Sequence, residues 1–221
     1  SYGRADAVPN DHPNYLGHLG RLGSLEGIEA MRQADTILAV GTRLSQSTTF
    51  YDNRFIPADA KIIQIEIDPE EIGRNYPVTL GIEGDAKAVM EGLLEKVRET
   101  EPRPNQQWVS EIGDWTSRRT SRLQDEEKLS GAPMKPQRVY AELRKVMPRD
   151  AIIALDAGLA PNYGQDRLNY YEPRSLITSL DLGGLGFSFP AAIGAKFAAP
   201  DRPVINFNGD GGFLFNAQEF A

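Results

Sequence analysis

The chain has 221 residues, 24 Lys and Arg against 31 Asp and Glu, a formal net charge of −7 at pH 7, and 40% hydrophobic residues. That composition excludes collagen-like and largely disordered chains, and the acidic balance speaks against a nucleic-acid partner, which needs clustered Lys and Arg. Zero cysteines exclude disulfides, thiol nucleophiles and Cys-ligated metal, and no apolar run reaches the roughly eighteen residues of a membrane span. His12 and His18 are too few for a multi-histidine metal centre; both lie in a Gly- and Pro-rich segment and read as loop or interdomain hydrogen-bonding residues. Ser1-Tyr2-Gly3-Arg4 is not a signal peptide, so a cytoplasmic protein without a membrane partner is expected. There is no initiating Met, and Phe213 to Ala221 read as a helix cut in mid-turn, so a piece of a longer polypeptide is expected.

Residues 1–23 read as loop. Ser24 to Ala34 has the apolar spacing of a short amphipathic helix with Ser24 as its N-cap. Thr36-Ile37-Leu38-Ala39-Val40, ending at Gly41, and Ala60 to Asp68 read as buried strands. Pro69 to Gly73 suits one helical turn and Val78 to Ile82 another strand. Asp85 caps a helix from Ala86 to about Thr100, with Val89, Met90, Leu93, Leu94 and Val97 as its apolar face. Residues 1–100 therefore alternate helix and strand, which predicts an α/β unit: a parallel sheet covered by helices on both faces, dinucleotide-binding-like. Function in such sheets sits beyond the carboxyl ends of the strands, here Gly41-Thr42-Arg43 and Glu66-Ile67-Asp68.

Residues 101–135 read as a charged linker with an exposed helix from about Gln106 to Leu129, its charges a solvated face rather than a binding surface. A second α/β unit occupies residues 136–221: a helix from Gln137 to Met147, strands at Ala151–Leu155, Ser175–Ser179 and Pro203–Asn208, a helix from Pro190 through Ala198, and a final helix entered through Gly209-Asp210-Gly211-Gly212.

Three turns of this unit carry chemistry. The glycines of Gly209-Asp210-Gly211-Gly212 let backbone approach a ligand, the helix start favours phosphate, and Asp210 offers a hard oxygen for Mg²⁺. The alternative is a tight strand-to-helix turn with Asp210 as N-cap. Asp156-Ala157-Gly158 ends the preceding strand and is either a source of backbone donors or a plain loop. Asp181-Leu182-Gly183-Gly184-Leu185-Gly186 leaves main chain bare around Leu185, which suits a platform under a flat ring or, alternatively, a flexible loop.

Taken together, DAG and ITSLDLGGLGFSFPAAIGAKFAAPDRPVINFNGDGGFLFNAQEFA resemble the thiamine-diphosphate-binding domain of the acetolactate synthase superfamily. DHPNYLGHLGRLG, ADTILAVGTRL and AKIIQIEIDPEEIGRNYPVTLGIEGDAKAVM are similar to its central domain. The resemblance implies Asp210 as a magnesium ligand. It implies Gly158, Gly209, Gly211 and Gly212 as a diphosphate cradle. The carbonyl of Gly183 and the amide of Leu185 would bond the aminopyrimidine edge, with the Leu185 side chain supporting the bent cofactor. Gly41, Arg43, Glu66 and Asp85 match positions that hold FAD or ADP in some members; Leu44 to Thr49 depart from the acidic pair and arginine that face flavin in acetolactate synthases.

Leu185 stands for the usual Met, and Leu159-Ala160 for a usual Gln-His. The family's Asn pair after GDG and its activating Glu fall outside this chain, so no catalytic residue is assigned. The implied whole is a thiamine-diphosphate- and Mg²⁺-dependent transferase or lyase. It would decarboxylate a pyruvate-like 2-oxo acid and ligate the remainder to a second carbonyl, as a homodimer or homotetramer with cofactor at the subunit interface. A sulfoacetaldehyde acetyltransferase-like enzyme, a simple 2-oxo acid decarboxylase and a non-catalytic nucleotide-binding module are the alternatives.

Overall fold

The computed structural model describes residues 3–21, 23–179 and 182–220. Asp181, expected to open the glycine-rich loop, and Ala221, expected to end the final helix, lie outside the described residues. Helix α1 (Leu25–Gln33) begins where the Ser24 hydroxyl accepts the Gly27 N–H. It leads into β1 (Thr36–Val40), a single turn α2 (Gln46–Thr49) and β2 (Lys61–Glu66). A 3-10 turn (Pro69–Glu71), β3 (Leu80–Glu83) and α3 (Ala86–Glu99) complete the first unit. The strands are parallel in the order β1-β2-β3, with Ile37 opposite Ile62 and Ile65 opposite Ile82.

Cover of the first sheet is uneven between its two faces. Burial alternates along β1: Ile37 and Ala39 pack with Leu44, Ile56, Ile62 and Tyr76, while Leu38 is 44% exposed. The stripe of α3 has the foreseen spacing, yet Met90, Leu93, Leu94 and Val97 all remain exposed. The face that carries Leu38 also carries Ile65, which is fully buried, so this side is covered in part.

Helix α4 (Gln106–Glu127) also differs from the sequence reading. It packs against α1 and against α5 (Pro136–Val146), burying Trp115 and Arg119. Two of its three arginines pair inward: Arg122 binds Glu26 of α1 at 2.8 Å, and Arg119 binds Asp166 of the second unit at 3.0 Å, while Arg118 stays exposed beside Glu29. Charge at helical spacing does not distinguish solvated from paired residues, because the partners lie 96 and 47 positions away.

The second unit continues through β4 (Ile152–Leu155), α6 (Leu159–Arg167), β5 (Leu176–Thr178), α7 (Ser188–Ala198), β6 (Val204–Phe207), α8 (Asp210–Phe215) and a 3-10 turn (Ala217–Phe220). Its sheet is parallel in the order β5-β4-β6. Every residue of the central β4 is buried, with Ile153 and Leu155 in a core that includes Tyr140, Leu168 and Tyr170. The N-terminal segment joins this core rather than the first sheet. Ala5 packs in it, the Asp6 carboxylate accepts the Ser175 and Leu176 N–H groups, and Asn10 pairs with the Tyr170 backbone.

Helix α6 was not legible as a helix, since its buried face is polar: Asn162, Gln165 and Asp166 are all buried. The final helix breaks at Asn216, whose side-chain amide instead donates to the Gly186 carbonyl at 2.7 Å.

Candidate cofactor site

The order β5-β4-β6, all parallel, brings three strand ends to one edge. From β4 the chain enters Asp156-Ala157-Gly158, from β5 the glycine-rich loop, and from β6 Asn208-Gly209-Asp210. Gly158 is the N-cap of α6 at φ +134°, a conformation reserved for glycine. Gly209, not Asp210, is the N-cap of α8. Asp210 takes the next position, exposed, with Oδ1 accepting the Gly211 N–H and the rest of its carboxylate facing solvent. A side chain at Gly183, Gly184, Gly209 or Gly211 would meet nothing within 4 Å, so this stretch of main chain lies bare.

Gly212 differs: a Cβ there would sit 3.1 Å from an oxygen of Asp156. Its missing side chain permits close packing against Asp156.

The glycine-rich loop is held at both ends. Ser179 accepts the Leu182 and Gly183 N–H groups on its carbonyl and donates its hydroxyl to the Gly184 carbonyl. Gly186 is held by Asp156 and Asn216. Between these anchors, the carbonyl of Gly183 and the N–H of Leu185 take part in no hydrogen bond among the described residues. Bare donors and acceptors must find a partner in water or a ligand. The Leu185 side chain is 52% exposed beside them. Asn208 adds a buried Nδ2 that has no hydrogen-bond partner among the described residues, one residue before the Gly-Asp-Gly-Gly turn. A polar, diphosphate-bearing ring compound fits this donor and acceptor set. Among the described residues no group of three or more His, Asp or Glu side chains is placed to hold a metal ion, so a cation at Asp210 would draw its other ligands from elsewhere, phosphate oxygens included.

Three of the residues matched to a nucleotide site share the carboxyl edge of the first sheet: Gly41 follows β1 and donates to the Ile65 carbonyl, Glu66 ends β2 and accepts the Gly84 N–H on its carbonyl, and Asp85 follows β3. Gly41 lines a cavity of about 760 Å³ with Arg4, Asp6, Arg174 and Phe187. Arg43 lines a separate one of about 310 Å³ with Ser45, Arg74 and Asn75. Glu66 accepts the Ile67 N–H, and the Asp85 carboxylate caps α3 through the Ala88 N–H. Glu66 and Asp85 each give one carboxylate oxygen to local backbone, and no chemistry is derived through FAD or ADP.

His18 and His12 keep structural roles. His12 Nδ1 accepts the Asn14 N–H in an exposed loop. His18 is buried 3.8 Å from Asp166, across the two units, and burial pushes its imidazole below the ordinary value against the pull of that carboxylate. Sequence reasoning missed Asp156, treated there only as part of a turn. It is fully buried and accepts four hydrogen bonds.

Two family descriptions match the chain: thiamine pyrophosphate enzyme, central domain, over residues 1–93, and thiamine pyrophosphate enzyme, C-terminal TPP binding domain, over residues 156–221. The chain belongs to the thiamine pyrophosphate enzymes. It is 37% identical to a probable acetolactate synthase large subunit of Methanocaldococcus jannaschii, across 96% of the chain and 36% of the relative. It is 34% identical to a sulfoacetaldehyde acetyltransferase of Roseovarius nubinhibens, across 96% and 38%. It is 35% identical to an acetolactate synthase large subunit of Haemophilus influenzae, across 97% and 37%. The chain thus spans under two fifths of the length of these relatives. Among the described residues no helix is long and apolar enough to cross a membrane.

Proposed function

We propose that the chain supplies the central and cofactor-binding parts of a thiamine-diphosphate- and Mg²⁺-dependent enzyme that decarboxylates a pyruvate-like 2-oxo acid and joins the remainder to a second carbonyl. The observation that carries this reading is a pair of groups without a partner among the described residues, the Gly183 carbonyl and the Leu185 N–H, on the same sheet edge as the exposed Asp210. When bound, the cofactor supplies the electron sink that loss of carbon dioxide from a 2-oxo acid requires.

The residues of this chain bind and orient. Asp210 holds the cation through its free oxygen, and Gly158, Gly209 and Gly211 present main chain to the diphosphate. Gly212 lets the α8 turn lie against Asp156. The Gly183 carbonyl and Leu185 N–H read the ring edge, and the Leu185 side chain supports the ring and excludes water on one side. No proton-transfer step is assigned to a residue of this chain. A homodimer or homotetramer and a cytoplasmic location belong to the same proposal.

A second reading has its own support. Relatives named sulfoacetaldehyde acetyltransferase match at 31–34% identity over nearly the whole chain. Pyruvate and sulfoacetaldehyde, offered separately to the full-length protein, distinguish the two. Carbon dioxide release with a carbon–carbon-ligated product supports the first, release with free aldehyde a simple decarboxylase, and consumption of sulfoacetaldehyde the second. Calorimetry tests the site itself: Asp210→Ala in the full-length protein is expected to abolish Mg²⁺-dependent thiamine diphosphate binding. Unchanged affinity overturns the assignment, and binding of ADP or FAD without thiamine diphosphate would make the protein a nucleotide-binding module.

A further inference from the structure

The buried Asp156 sits directly beneath the bare segment of main chain. Its Oδ1 accepts the Ala157 N–H at 2.7 Å and the Gly186 N–H at 3.0 Å. Its Oδ2 accepts the Ser188 N–H at 3.0 Å and the Ser188 hydroxyl at 2.8 Å. Three parts of the fold meet at this side chain. The side chain joins the end of β4 to a loop 30 residues further on. It fills the space that a side chain at Gly212 would need, which seats the α8 turn. It also takes the place of an N-cap for α7, whose own cap position, Phe187, offers no side-chain hydrogen bond. Sequence spacing starts that helix at Pro190, whereas the structure starts it at Ser188, the residue Asp156 binds.

We propose that Asp156 is the positioning residue of the cofactor platform. By holding Gly186 and Ser188 it fixes one end of the glycine-rich loop, while Ser179 fixes the other, and only the groups between them are left to face a ligand. Asp156 is spent on protein donors and does not touch cofactor; it acts through Gly186. This inference rests on the proposed thiamine diphosphate function for its ligand, while the anchoring of the loop is measurable without any ligand.

Two variants of the full-length protein test it. Asp156→Asn keeps the shape but turns an amide N–H₂ toward the Ser188 N–H. Ser188→Ala removes one of the four donors and leaves the carboxylate. In Asp156→Asn, deuterium exchange over residues 182–188 of the cofactor-free protein should accelerate at least tenfold, with β4 and β6 unchanged. The thiamine diphosphate concentration for half-saturation, with Mg²⁺ in excess, should rise at least tenfold. The kcat at saturating cofactor should change far less, because bound cofactor restores the loop. Ser188→Ala should move the same two readouts about threefold, and it decides the matter if Asp156→Asn does not fold. Unchanged loop exchange in a folded variant overturns the proposal. So does acceleration spread evenly over β4, β6 and the loop, which would make Asp156 a general stability residue. If the wild-type protein does not bind thiamine diphosphate, the functional reading fails and the loop exchange alone reports on the anchor.

Discussion

In the first sheet a neutral amide ties the loops at the carboxyl edge, and in the second a carboxylate does so. Gln64, buried on the central strand β2, donates Nε2 to the carbonyls of Thr42 and Glu71 and accepts the Gly73 N–H on Oε1. Asp156, at the end of the central strand β4, faces three N–H groups and a hydroxyl. The loops decide the chemistry of the tether. Where they turn in two carbonyls and one N–H, only a group with both donors and acceptors satisfies them; where they turn in donors alone, a carboxylate does. A loop whose N–H groups are drawn inward at Gly186 leaves neighbouring main chain free to face outward, as the second unit does. The tethered loops of the first unit instead surround residues engaged with local backbone.

The largest test of this contrast lies in the strands that carry the tethers. Ile153, fully buried on β4, should cost about 2–5 kcal/mol when cut to alanine. Leu38→Ala, on the open face of β1, should cost less than about 1 kcal/mol. Urea unfolding of the two variants measures both; similar losses would mean that the open face of β1 is covered in the whole protein. Next comes Gln64→Glu, which sets a carboxyl group against the Thr42 and Glu71 carbonyls. It should cost about 2–3 kcal/mol at neutral pH. A neutral result by the same assay would show that the first-unit loops do not depend on their tether.

These cases show what could be read beforehand. The strands and most helices are written in local spacing: TILAV and IIAL each stand between turn residues, and Ser24 and Asp85 precede the helices they cap. The bare glycines of the cradle were legible for the same reason. Tertiary hydrogen bonds were not. Gln64 looks like an ordinary polar residue of a strand, and the partners of Asp156 lie 30 and 32 positions away. Helix α6 buries Gln165 and Asp166, reversing the apolar pattern by which helices are found. Arg119 and Arg122 of α4 read as part of a solvated face because sequence does not show that Asp166 and Glu26 meet them.

The joint between the units gives a pH dependence of one sign. Burial acts to raise the Glu26 carboxyl, but Arg122, the local backbone and the Ser24 hydroxyl outweigh it and hold the group at about 2, below its ordinary 4.5. The unfolded chain therefore binds this proton first, and stability falls as pH drops from 4.5 toward 2, by roughly 1–2 kcal/mol after solvent screening. His18, held neutral by burial, adds a loss of the same sign that begins as pH falls through 6.5. Glu26→Gln should flatten the lower limb and His18→Gln the upper in a stability-against-pH series. A curve that Glu26→Gln leaves unchanged would remove the α1–α4 ion pair as the joint.

The smallest effect separates local from tertiary capping. Asp85 caps α3 through its own Ala88 N–H on an exposed helix, so Asp85→Ala should cost about 0.5–1 kcal/mol and Asp85→Asn almost nothing, since an amide oxygen caps nearly as well. Helix α7 lacks such a residue and borrows Asp156 from another strand end. Its start should therefore be sensitive to the same Asp-to-Asn change that α3 tolerates. Amide exchange at Ala88 and at Ser188 in the two variants gives the comparison directly. Equal protection loss at both helix starts would mean that Asp85 is held by more than its cap.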